Sequence, residues 1–326
     1  MTTPAFPTRA DITICFAHKA YRFTEAITRR EPDISQFQCW TRDEFMERAG
    51  EADVIVTSGF WNNEILDTAS RLRFVQSASA GIDQYDREIF ATKSVRLASA
   101  QGANEQAVSQ HAMALILGLA RHIHISRDDQ RSTHWRGMTS DPAQREDELG
   151  GKTMLIVGMG RIGSRLAHLA RAFDIHVIAT KRDPGTGGEA ANEVHAQKNL
   201  LDLLPRADIV VLTCPLTPET QGMINAQALN AMKPTAHLIN VSRGKVVDEA
   251  ALLDALEQGG INAAGLDCTA EEPLPASSKL WGLENVIITP HTAGETRRYE
   301  DNVIDLLMEN LERLWRGESD LKNQVV

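Results

Sequence analysis

Short apolar runs recur along the chain, separated by stretches with helical spacing. Residues 11–16, 53–57 and 73–76 are brief and rich in β-branched or aromatic residues, which marks them as strands. Residues 20–30, 42–49 and 63–69 carry apolar positions at helical intervals. This alternation predicts βαβ units on a mostly parallel sheet. Near residue 100 the pattern changes. Residues 103–121 read as one long apolar-rich helix, and the polar stretch 128–151, with Pro142 and a Gly-Gly pair, reads as a loop-rich connection. A second βα series then begins, with apolar runs at 154–158, 175–179, 208–212, 236–240, 262–267 and 286–289. Residues 295–315 read as one amphipathic helix, followed by a short polar tail.

Length and composition narrow this picture. A chain of 326 residues suggests two domains, each able to bury its own core. Hydrophobic residues make up 42% and charged residues 24%, which excludes wholesale disorder and fibrous classes. The formal charge of −10 argues against a nucleic-acid partner and against binding to anionic membranes. The longest apolar run, 112–120, falls well short of the roughly 20 residues of a membrane span. Residues 1–9 lack the apolar core of a secretory leader. Cys15, Cys39, Cys214 and Cys268 are scattered, with no CxxC pair. They predict neither a zinc site nor a disulfide framework, and fit neutral thiols in a cytoplasmic protein. His122 and His124 have no Cys or acid at ligand spacing, so no metal is expected.

The second series carries a glycine fingerprint. Gly158, Gly160 and Gly163 stand at G-x-G-x-x-G spacing, with Arg161 and Ile162 inside it, between a predicted strand and a predicted helix over 161–173. The first glycine allows the tight turn, the second lets backbone approach a diphosphate, and the third lets helix pack on strand. The helix N-terminus offers unpaired N–H groups to the anion. An acid that holds the ribose 2′-OH is expected about 20 residues on. Lys181 stands there instead, between Thr180 and Arg182. Two cations attract a 2′-phosphate, which favours NADP(H), with NAD(H) as the alternative.

Three polar residues lie at or just beyond predicted strand ends: Arg243, Glu272 and His291. In a doubly wound sheet such positions border the ligand crevice. Reduction of a 2-keto acid needs a cation for the carboxylate and carbonyl, a role suited to Arg243. It also needs a proton donor that titrates near neutrality, which His291 supplies. Glu272 would accept from the other imidazole nitrogen, fixing the tautomer and stabilising the imidazolium.

These motifs, together with Cys214-Pro215-Leu-Thr-Pro-Glu-Thr220, Asn240-Val-Ser-Arg243-Gly244, Gly265-Leu-Asp267 and His291-Thr-Ala-Gly294, resemble the D-isomer-specific 2-hydroxyacid dehydrogenases. The resemblance spans nearly the whole chain and is strongest over 151–294. It implies an Arg243, Glu272 and His291 triad. It implies that Asp267 and the backbone near Pro215 and Val241 hold the nicotinamide end, with Cys214 and Gly294 also lining the cofactor. It implies that amides of Ser79, Ala80 and Gly81 bind the substrate carboxylate. The fold it implies is α/β, with two Rossmann-like doubly wound parallel sheets. The cofactor domain (101–292) would be inserted in a discontinuous, flavodoxin-like substrate domain (1–100 plus 293–326). A homodimer built around the helix starting near Gly102 is implied as well.

The chain departs from the family pattern at several points. Cys268 and Thr269 follow Asp267 where Val-Phe is usual, and Gln110 replaces a common acid of the dimer helix. Lys181 resembles the NADP-preferring glyoxylate/hydroxypyruvate reductases. Ala80 stands where phosphite dehydrogenases carry lysine. Phe60, Trp61 and Trp135 are candidates for the pocket wall, although packing explains each at least as well. Two other readings stand beside an NADP-dependent reductase of small 2-keto acids. One is a nicotinamide-sensing, corepressor-like interaction protein; the other is a dehydrogenase of a different small anion.

Overall fold

Each strand of the protein runs parallel to its sheet neighbours, as helical crossovers between apolar runs require. The computed structural model describes residues 6–326; residues 1–5, part of the stretch read for a leader, lie outside the described residues. The chain divides into two compact units. One runs up to Asn104 and takes in Thr296–Val326; the other is Glu105–Glu295.

The first unit contains β1 (Thr13–Ala17), β2 (Ser35–Cys39), β3 (Val54–Thr57), β4 (Phe74–Ser77) and β5 (Arg96–Ala98), in the order β2-β1-β3-β4-β5. This is a flavodoxin-like order. Alternate residues of β1 feed different faces: Ile14 and Phe16 join one core cluster, Cys15 and Ala17 the other. The C-terminal helix begins later than its apolar spacing predicts and runs Tyr299–Trp315, with Val303, Ile304, Leu307 and Leu311 buried. The residues before it are spent on turns, in which Glu295 N–H donates to Thr292 O (2.9 Å) and Tyr299 N–H to Thr296 O (3.1 Å). The tail is not merely polar. Val325 N–H donates to Leu97 O (2.8 Å), Leu97 N–H donates to Val326 O (3.2 Å), and Leu321 is buried, so the tail pairs with the β5 edge.

The second unit contains β6 (Thr153–Val157), β7 (His176–Lys181), β8 (Glu193–Ala196), β9 (Ile209–Leu212), β10 (His237–Asn240), β11 (Ala263–Leu266) and β12 (Val286–Ile288). Their order, β12-β11-β10-β9-β6-β7-β8, is that of a dinucleotide-binding sheet with a seventh strand beyond the six expected. Helices Glu105–Ala120 and Arg161–Arg171 pack together on one face through Val108, Ala112, Ile116, Leu166 and Ala167. Gly265 allows close approach there: a Cβ on it would lie 3.1 Å from Leu115 Cβ.

The polar connection expected over 128–151 is corrected in its first part, because a helix runs Ile123–Arg131. None of its residues is buried, so the apolar periodicity that reveals most helices is absent. No helix among the described residues is long and apolar enough to cross a membrane.

Candidate active site

Strand β6 delivers the chain into the glycine loop. Gly158 has φ +107°, and a Cβ on it would lie 2.6 Å from Cys214 N. Gly163 lies against the loop itself, where a Cβ would come within 2.5 Å of Gly158 O. Thr213 Oγ1 donates to that same carbonyl at 2.7 Å and locks the turn. Gly160 differs from both: a Cβ there meets nothing within 4 Å. Gly160 is the N-cap of the helix Arg161–Arg171 and brings no side chain to satisfy the first N–H groups. Thr180, buried at the end of β7, has a hydroxyl without a partner among the described residues. Open room at Gly160, uncapped N–H groups and an orphaned hydroxyl fit a dinucleotide whose diphosphate lies on the helix N-terminus.

The two candidate selector cations differ in placement. Lys181 Nζ donates to the Thr186 carbonyl within its own loop. Arg182 instead lines a cavity of about 960 Å³ shared with Gln197, Lys198, Thr217, Glu219 and Asn225. The Thr217 hydroxyl holds Glu219 below the usual carboxylate range, with help from the Arg182 charge.

After β10 the Asn240 side chain organises the next turn. Its Oδ1 accepts from Ser242 N–H (3.0 Å) and Ser242 Oγ (2.8 Å), and its Nδ2 donates to Arg243 O (3.0 Å). Arg243 is thereby held extended, and its Nη1 donates to Ser242 O at 2.7 Å. A Cβ on Gly244 would come 1.9 Å from Thr269 O, so only glycine lets this turn meet the segment after β11. Thr269 N–H in turn donates to Glu272 Oε1 at 3.1 Å. Glu272 Oε2 lies 2.7 Å from His291 Nδ1, and no described residue bonds His291 Nε2. His291 adopts φ +55°, a conformation a histidine holds only when its surroundings impose it.

Asp267 supplies part of that imposition. It is buried, and its Oδ1 accepts from Thr292 N–H (2.9 Å) and Thr289 Oγ1 (2.6 Å), while Oδ2 accepts from Ala293 N–H (3.0 Å). These bonds anchor the residues on both sides of His291. Burial, with the Glu272 and Asp267 charges, pushes the Cys268 thiol well above its usual range, so it stays neutral.

In the first unit, the loop that follows β4 turns its carbonyls inward. Ala78 O accepts from Tyr299 Oη (2.6 Å), Ser79 O from Ala100 N–H (3.0 Å) and Ser77 Oγ (2.9 Å), and Gly81 O from Ser79 Oγ (2.7 Å). The N–H groups of Ala80 and Gly81 have no acceptor among the described residues, which leaves successive amides free for an anion.

The model of the D-isomer specific 2-hydroxyacid dehydrogenase NAD-binding domain matches residues 113–293. A glyoxylate reductase of Pyrococcus furiosus is 36% identical over 283 residues, which is 85% of this chain and 83% of that protein. The chain belongs to the D-isomer specific 2-hydroxyacid dehydrogenase family. A second glyoxylate reductase, from Thermococcus kodakarensis, is also 36% identical, over 85% of this chain and 84% of its own length. A solved member of the family from Aeromonas salmonicida is 27% identical, with TM-score 0.83, covering 97% of this chain and 99% of that one.

In this 2-hydroxyacid dehydrogenase, sequence reasoning missed His111 and Thr289, which bond beside Asp267 in the second unit, and Tyr299, which bonds the loop after β4 in the first. His111 Nε2 lies 2.9 Å from Thr289 Oγ1 and 3.5 Å from Asp267 Oδ1. All three are separated from their partners by long stretches of chain, and no local motif announces them. Of the pocket-wall candidates, Trp61 is buried among Tyr85 and Phe90, with ring centroids 5.2 Å away, so it is a packing residue. Phe60 packs against the same core cluster, and Trp135 is exposed. His124 bonds the carbonyls of Gly118 and Glu284.

Proposed function

We propose that the protein reduces a small 2-keto acid of the glyoxylate or hydroxypyruvate type to the D-2-hydroxy acid, with NADP(H) preferred over NAD(H). The observation that carries this reading is the 2.7 Å contact between Glu272 and His291 Nδ1, which commits Nδ1–H to the carboxylate and leaves Nε2 as the atom that gives up the imidazolium proton. Glu272 fixes the tautomer and stabilises the imidazolium, while Arg243 takes the carboxylate and polarises the carbonyl with its planar fork. The amides of Ala80 and Gly81 share the substrate carboxylate; the Ser79 amide, expected to join them, is already given to Ser77 Oγ at 3.1 Å. Asp267, with backbone near Pro215 and Val241, orients the nicotinamide end. Cys214, Ile162 and Gly294 complete the cofactor contacts. The reduced nicotinamide, when bound, supplies the hydride.

The preference for NADP(H) rests on Arg182, which faces the cavity beyond β7, and on the lack of an acid at Lys181. The two relatives named glyoxylate reductase support the smallest keto acids as substrates. A homodimer is supported by Ile123, Trp135 and Met138, large apolar residues exposed on and after the helix Ile123–Arg131. The four buried free thiols fit a cytoplasmic setting. The test is the rate of NADPH and NADH oxidation with glyoxylate, hydroxypyruvate, pyruvate, phenylpyruvate and a branched 2-keto acid. The expected result is the highest kcat/KM for glyoxylate or hydroxypyruvate with NADPH. Absence of turnover with the whole panel would overturn the reading.

A further inference from the structure

We propose that Tyr299 is a positioning residue for substrate, its hydroxyl holding the Ala78 carbonyl so that the amides of Ala80 and Gly81 stay turned outward. The inference rests on the functional reading above, because it gives that loop the substrate carboxylate.

The geometry lies within the first unit. Tyr299 opens the C-terminal helix and is 5% exposed. Its Oη donates to Ala78 O at 2.6 Å, and its ring stacks on Tyr21 at 4.6 Å between centroids. Burial pushes the phenol well above its usual range, so it remains a donor at every working pH. Ala78 begins the series of inward carbonyls. The peptide between Ala78 and Ser79 is pinned at both ends, since Ser79 N–H donates to Ser77 Oγ at 3.1 Å. A peptide plane fixed in this way sets where the following N–H groups point. If the phenol hydroxyl is lost, Ala78 O becomes a buried acceptor without a partner, and the plane is free to rotate toward another donor. An anion held by two backbone amides is sensitive to that rotation, because charge-assisted bonds require aligned donors.

Tyr299→Phe removes the hydroxyl and keeps the stacked ring. The assay uses the full chain and measures three quantities: steady-state kinetics with glyoxylate, inhibition by oxamate, and cofactor Kd by fluorescence quenching. KM and the oxamate inhibition constant are expected to rise together, about five- to tenfold for one lost hydrogen bond, with kcat within about twofold and cofactor Kd unchanged. Trp315→Phe is the control. It removes a donor to Pro7 O (3.0 Å) at the far end of the same helix and is expected to leave KM and oxamate binding alone, whatever it does to Tm. If Tyr299→Phe does not fold, Ser79→Ala severs the Oγ bond to Gly81 O and must raise KM in the same manner. Wild-type KM and oxamate binding in these variants would overturn the inference while leaving the functional reading intact. Wild-type protein that neither turns over a keto acid nor binds oxamate would overturn both.

Discussion

Gly160→Ala separates room needed by a ligand from room needed by the fold. Gly160 has φ −89° and ψ −159°, which alanine adopts without strain, and a Cβ there has no heavy atom within 4 Å. Alanine is a poorer N-cap than glycine, at a cost of some tenths of a kcal/mol. The reduced freedom of the unfolded chain offsets this by about 0.4–1 kcal/mol. The two nearly cancel, so Tm should move by no more than about 2 °C. The added methyl would occupy the space assigned to the diphosphate. Overpacking of one methyl group costs about 1–3 kcal/mol, which corresponds to Kd values about 5- to 150-fold weaker for NADPH and NADH alike. Fluorescence titration with each reduced cofactor, alongside thermal unfolding of the same sample, gives both numbers. Gly163→Ala should behave in the opposite way and lose stability, because its Cβ would sit 2.5 Å from a backbone oxygen. Undiminished cofactor affinity in Gly160→Ala would refute the placement of the diphosphate.

Three further outcomes are expected. His291→Gln should lower kcat by about 10²–10⁴ with cofactor Kd nearly unchanged, checked by stopped-flow turnover and titration; wild-type turnover would remove His291 as proton donor. Arg182→Gln should weaken NADPH far more than NADH, whereas Lys181→Gln, whose ammonium is already taken by Thr186 O, should do less; Kd ratios decide, and equal losses of both cofactors in Arg182→Gln would mean that it does not read the 2′-phosphate. Burial, then the Lys152 charge, pushes His237 from 6.5 down to about 4, and Asn262 Nδ2 donates to its Nε2 at 3.0 Å, a bond only the neutral ring accepts. The unfolded chain then binds the extra proton first, so this stabilisation is present above pH 6.5 and is lost as pH falls toward 4, by at most about 3 kcal/mol. Urea unfolding of wild type and His237→Gln at pH 7 and pH 5 should show the smaller acid loss in the variant.

What the sequence revealed and what it hid follow from burial. The interior strands β1, β3, β4, β6, β7, β9, β10 and β11 are covered on both faces and therefore carry adjacent apolar residues rather than an alternation. The overlooked strands β2, β5 and β8 are all sheet edges, where Ser35, Gln36, Arg96 and Glu193 interrupt any such run. The glycine turn that opens the helix Arg161–Arg171 and the pairing of Glu272 with His291 were legible because both lie in segments just beyond strand ends, where the fold places its turns. Tyr299 was not, since its partner lies 221 residues away and a tyrosine on the apolar face of a helix looks like packing. Its body is packing; only the destination of the hydroxyl gives it a further role. Lys181 and Arg182 show the same limit at closer range. As neighbours they look interchangeable in the sequence, yet Lys181 ends β7 while Arg182 stands in the bend that follows it. One folds back onto its own loop while the other faces the cavity, and a charge count at the end of β7 overstates the field available to a 2′-phosphate.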